Sequence, residues 1–87
     1  MELKDTINDM VSGDYKDRFK AEYHQTKIRY ERLKKLNTKI EAAEYRQDLR
    51  SQPLHDCPLH LLSQQQHIMG EYLHVLEVRA AIEGIEL

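Results

Sequence analysis

The chain has one cysteine, three glycines, two prolines and no tryptophan in 87 residues. Cys57 has no partner for a disulfide, which fits a reducing compartment and leaves a small domain without a covalent staple. A chain this short buries a modest share of its surface, so association between copies is the expected substitute. No apolar run approaches the ~18 residues of a membrane span. The start, MELKDTINDM, is charged where a secretory leader would be apolar, and a cytoplasmic location is expected. Serine occurs only at Ser12, Ser51 and Ser63, and no glycine-rich phosphate loop is present. Nothing supports covalent catalysis, and the chain reads as a non-enzyme with no cofactor.

What is present is helical periodicity. The expectation is all-α: an antiparallel two-helix hairpin with a short N-terminal helix, one domain over 1–87, assembled as a homo-oligomer. Leu3, Ile7, Met10 and Val11 share one face of a helix over 2–11, with Ser12-Gly13 as its stop. So short a helix needs a surface to pack on. The expected surface is the apolar arc of the last helix.

Asp14 caps a long helix over 15–46. Its seam steps by four and three through Phe19, Tyr23, Thr26, Tyr30, Leu33, Asn37 and Ile40, close to a heptad. Ile28 lies opposite, either exposed alone or at a contact between copies. Residues 47–58 form a connection punctuated by Pro53 and Pro58.

The organising element is the last helix, 59–84. Its apolar arc takes in Leu61, Leu62, Ile68, Met69, Tyr72, Leu73, Leu76 and Ala80, and widens to Val75 and Ile82. That is roughly half the circumference, more than one partner helix covers. Two contacts are expected, one within the chain and one between copies. Gln65, Arg79 and Glu83 interrupt the arc. Arg79 and Glu83 can pair at four-residue spacing. Arg79 is then either structural or turned to a ligand at the boundary between copies.

The net charge of −2 hides a split: residues 14–39 carry +5 and residues 51–87 carry −4. A basic helix beside an acidic one favours antiparallel docking and leaves a basic surface for an anion. On that helix Tyr15, Tyr23 and Tyr30 alternate with cations that include Lys16, Arg18 and Lys27. Aromatic faces beside cations hold nucleobases and phosphates, although the same tyrosines also suit a core. Duplex DNA is excluded as a partner by the acidic balance. His55, Cys57 and His60 form an H-x-C-x2-H cluster that lacks a clear fourth ligand, so no metal site is expected. His60, His67 and His74, seven apart, are ~10 Å from one another along the helix, too far to chelate one ion.

DYKDRFKAEYHQTKIRYERLKKL and, after the connection, LLSQQQHIMGEYLHVLEVRAAIEGIEL resemble a widespread family of small bacteriophage proteins. That family comprises the crAss-like phage hairpin proteins and relatives in phages of Gram-positive hosts. The spacings EY-x3-K-x2-Y-x2-L and LL-x2-Q-x3-M-x2-YL-x2-LE are similar to the hairpin of phage anti-defence sponges that oppose Thoeris and CBASS immunity. Matching positions include Glu22, Tyr23, Lys27, Tyr30, Leu33, Gln65, Met69 and Tyr72. The resemblance implies oligomers that sequester a cyclic nucleotide signal between subunits in the host cytoplasm. On that reading Tyr15 or Tyr23 stacks the base, Lys16, Arg18 and Arg79 meet phosphate, and Lys27 is a further ligand-binding residue. The alternatives are a protein-binding inhibitor of a host defence nuclease, anti-CRISPR-like, and a phage structural or accessory protein.

Overall fold

The computed structural model describes residues 1–87 and is all-α. A 3-10 turn, Leu3–Thr6, leads into α1, Ile7–Met10; α2 spans Tyr15–Tyr45 and α3 spans Leu59–Glu83. The molecule is a rod of 49 × 25 × 18 Å. No helix is long and apolar enough to cross a membrane.

Helix α2 begins at Asp14, whose extended backbone and side chain make the N-cap: Oδ1 accepts from the Lys16 N–H at 3.0 Å. The turn before it is tied down. Ser12 Oγ donates to Asp17 Oδ2 at 2.8 Å, and Arg18 Nη1 donates to the Ser12 carbonyl at 2.8 Å. No glycine or proline interrupts the 31 residues that follow, so the ladder runs unbroken.

Helix α3 runs back along α2. Asn37 reaches Leu62 and Gln66, Tyr23 reaches Glu77, and Tyr15 reaches Glu83, so partners advance in opposite directions. The core sits toward the open end of the hairpin, where Phe19, Tyr23, Leu73, Leu76, Ala80 and Ile85 close on one another with Tyr30 against them. Toward the connection Ile40 and Ala43 are buried. Asn37 is buried in the seam. Its Nδ2 donates to the Leu62 carbonyl at 3.2 Å and to Gln66 Oε1 at 2.9 Å, while its own Oδ1 has no partner.

The N-terminal segment departs from expectation twice. It is a 3-10 turn plus one α-turn rather than one helix over 2–11. A local bond favours the tighter winding: the buried Thr6 hydroxyl donates to the Leu3 carbonyl at 2.7 Å. Nor does it pack on the arc of α3; its contacts are with α2. Gln25 Nε2 donates to Thr6 Oγ1 at 3.2 Å, and Ala21, Gln25 and Ile28 form a second line at helical spacing on α2. Ile28 is therefore half-covered within the chain, not alone on the surface.

Both long helices end in a left-handed residue with a six-residue closure. Gly84 has φ +68, and the Ile85 N–H donates to the Ala80 carbonyl at 2.9 Å, which folds buried Ile85 back onto the core. At the end of α2 the left-handed residue is Gln47, φ +55, with the Asp48 N–H donating to the Ala43 carbonyl at 3.0 Å. A side chain is strained in that conformation and glycine is not. Gln47→Gly is expected to raise stability by about 0.5–1 kcal/mol and Gly84→Ala to lower it by about 1 kcal/mol, read from urea melts.

Candidate ligand-binding surface

Apart from the Asn37 amide, the polar contacts between α2 and α3 are made by tyrosines, not by ion pairs. The opposite net charges that favour antiparallel docking are not met by salt bridges across the seam. None of the three ion pairs, Lys4–Glu2, His67–Glu71 and Arg79–Glu83, links α2 to α3. Instead Tyr15 donates to Glu83 Oε1 at 3.1 Å, Tyr23 donates to Glu77 Oε2, and the Glu22 carboxylate lies by the Tyr72 hydroxyl. A hydroxyl can meet a carboxylate at a seam without desolvating a second charge, which an ion pair there would require. The cations of α2 are thereby left free of salt bridges, and all but Lys20 are exposed.

The six sequence-predicted site residues fall into three places. Tyr15 and Arg79, distant in sequence, meet at the open end. Arg79 Nη2 donates to the Tyr15 hydroxyl, and its Nε donates to Glu83 Oε2 at 3.3 Å. Its guanidinium carbon stands 4.9 Å from the centre of the Phe19 ring, a cation–π contact. Tyr15 is inclined to Phe19 at 59°, with ring centres 6.1 Å apart. Burial, then the bond to Glu83, raises the Tyr15 phenol above its ordinary value. The cluster thus joins a partly exposed ring, a guanidinium with Nη1 uncommitted, and a carboxylate.

Arg18 lies one turn from Tyr15 on the same side of α2, and Lys16 lies one residue round. The Arg18 side chain is engaged with the Ser12 carbonyl. Lys16 is exposed.

Tyr23 and Lys27 form the third place. Tyr23 is 5 % exposed, one of the core residues, so its ring has no face open to a base. The base-stacking role proposed for Tyr15 or Tyr23 is sterically open only to Tyr15, which is 45 % exposed. Burial and the bond to Glu77 push the Tyr23 phenol up to about 12. Lys27 Nζ stands 5.8 Å over the Tyr23 ring and lines a small cleft of 170 Å³ with Tyr30, Gly70 and His74.

That cleft continues into an open groove of about 890 Å³ that sequence reasoning missed. Gln66, His67, Gly70, Glu71 and His74 line it beside Tyr30. Gly70 lets the Tyr30 ring pack close against α3 at its wall: a Cβ there would stand 3.3 Å from Tyr30 Cε1, tighter than ordinary contact. The one glycine inside an otherwise uninterrupted helix was the available signal, since it costs helix stability unless a close approach requires it. Three His, Cys, Asp or Glu side chains nowhere gather in a way that could hold a metal ion. In the H-x-C-x2-H stretch His55 Nδ1 is instead 2.6 Å from the Cys57 carbonyl oxygen.

A model of the Sequestin family matches residues 13–82, from the α2 cap to the end of α3. The chain belongs to the Sequestin family. No curated protein and no solved structure matches it. The Sequestin match takes in all six candidate residues and the Tyr30–Gly70 groove, and leaves the N-terminal segment outside.

Two titrations check this geometry. In ultraviolet titration Tyr23→Phe is expected to remove a phenol that ionises near 12. His24, packed edge-on to Tyr23, has its pKa lowered by burial and then by Lys27. The folded chain therefore holds His24 neutral where the unfolded chain is already protonated. Its contribution is present above the unfolded value of ~6.5 and is lost as pH falls toward the lower folded value. His24→Gln is expected to flatten the decline in stability on acidification below about pH 6.5, followed by chemical denaturation at each pH.

Proposed function

We propose that this chain is a bacteriophage anti-defence protein that works in the host cytoplasm, where copies associate and hold a cyclic nucleotide immune signal without turning it over. The family name denotes sequestration, and the chain matches that family over both long helices. The observation that carries the ligand class is the Tyr15–Phe19–Arg79 cluster. A half-exposed ring for a base stands against a guanidinium with one nitrogen free for phosphate, chemistry suited to a nucleotide. Lys16 and Arg18 flank the ring on α2. Glu83 makes a single copy a poor anion site, so a second copy is needed to complete it.

The test is retention. Purified protein is mixed with cyclic dinucleotides, cyclic trinucleotides and cyclic ADP-ribose isomers, desalted and heat-denatured, and the supernatant is analysed by mass spectrometry. One ligand class is expected back intact, with affinity reduced roughly tenfold or more by Tyr15→Ala and by Arg79→Ala. Retention of none, or recovery of a cleaved product, would overturn the proposal. The rival is an inhibitor that binds a host defence nuclease, favoured by the openness of the grooves. A stoichiometric host protein on the purified chain, with no nucleotide retained, would replace one reading with the other.

A further inference from the structure

Helix α3 carries two heptad seams, and the fold uses one. The inner seam, Leu62, Gln66, Met69, Leu73, Leu76 and Ala80, steps by four and three along the side that meets α2. Shifted by one residue, about 100° round the helix, the same steps recur. Leu61, Ile68, Tyr72, Val75 and Ile82 make this outer seam, with Gln65 and Arg79 in the intervening positions. Its apolar members are 48, 54, 39, 52 and 78 % exposed. The N-terminal segment cannot cover them, because it is spent on the far side of α2.

We propose that the outer seam is closed by α3 of a second copy running antiparallel, with Tyr72 opposite Val75 in the two central layers. A heptad stripe fits another helix of the same period, and α3 itself has that period and length. The outer seam exposes roughly 500 Å² of apolar surface, at the top of the range for a monomer, and two copies together reach about 1,000 Å², the floor for a stable interface. Charge sets the direction. A parallel pair would stack Arg79 on Arg79 and Gln65 on Gln65, whereas the antiparallel pair lays each against an aliphatic side chain. Arg79 can enter such a layer because its charge is already met by Glu83 of its own copy. Charge also sets the register. Sliding by one heptad in one direction brings Glu71 beside Glu71 near the two-fold axis, where the chosen register sets Val78 beside Glu71; sliding in the other direction carries Ile68 past the end of the second copy's α3. In that register Arg79 packs on Ile68 of the second copy, and Gln65 opposes Ile82. The Tyr15–Arg79 cluster then borders the second copy's Gln65 and Ile68. This inference rests on the proposed association of copies and adds its face, direction and register.

Sedimentation velocity and crosslinking test it. Wild-type protein is expected to sediment as a multimer at micromolar concentration. Val75→Glu and Ile68→Asp, both at exposed positions, are expected to raise the dissociation constant roughly 100-fold with helical circular dichroism unchanged. In a Cys57→Ser background the double variant Gln65→Cys with Ile82→Cys is expected to form covalent dimers on mild oxidation. These positions are ~25 Å apart within one helix, so neither single variant should link to itself. A monomeric wild type, a multimer indifferent to both charged substitutions, or self-linking by either single cysteine variant would overturn the proposal. A monomeric Val75→Glu that still retains nucleotide would support the seam and sink the pocket between copies, which separates the two readings.

Discussion

The buried amide of Asn37 decides which residue of α2 faces which residue of α3. Its Nδ2 is satisfied by the Leu62 carbonyl and the Gln66 side chain, both on α3. Slide α3 by one heptad and Leu59 or Leu73 replaces Gln66, so that donor loses its side-chain acceptor, at a cost of about 1 kcal/mol. An apolar seam alone resists sliding weakly, because each heptad resembles the next; a polar group with one acceptable address does not. With Asn37 fixed, the rest falls into step along the hairpin. Tyr30 lands on Gly70, Tyr23 on Glu77, and Tyr15 on Glu83 and Arg79. The candidate site at the open end is thus set by an amide far along the rod from it.

The division of charge between the helices has a different consequence from the one opposite signs suggest. Attraction across the seam could have been met by lysine–glutamate pairs, which would have used up the cations of α2. Tyrosine hydroxyls take the carboxylates instead, and the Tyr23 ring serves the core as well. The basic side of α2 remains unneutralised at close range, although the whole chain is slightly acidic. An anionic partner would meet that local field more than the net charge.

Much of the fold was legible because it rests on periodicity and caps. The seam from Phe19 to Ile40, the Asp14 cap and the glycine stop at the end of α3 are local signals, and the structure places each as read. The N-terminal segment was misplaced for a physical reason. Its landing strip, Ala21, Gln25 and Ile28, is too short and too mixed to register as an apolar face beside so many charged neighbours. The site was legible by residue type but not by exposure. Tyr15 and Tyr23 look alike in sequence, eight apart and flanked by cations. Only packing shows that one ring is in the core and the other at the rim. Gly70 was readable in principle, since a mid-helix glycine asks what approaches it, and the answer is Tyr30.

A half-turn of apolar surface on α3 is a poor bargain for a hairpin that lives alone. One seam suffices to hold α2, and the apolar residues of the other lie outside the buried cluster, with Tyr72 alone reaching Glu22 on α2. Their apolar character therefore needs an explanation outside the single chain. The position of Arg79 sharpens this point. It belongs to the outer seam by spacing, yet its side chain turns back to Phe19, Tyr15 and Glu83. It is the one residue that touches both the aromatic cluster and the uncovered stripe. Closing the stripe would fix the far side of that guanidinium, and loading the cluster would change how it sits in the stripe. Association and ligand binding would then be linked through one side chain, each raising the affinity of the other by the same factor.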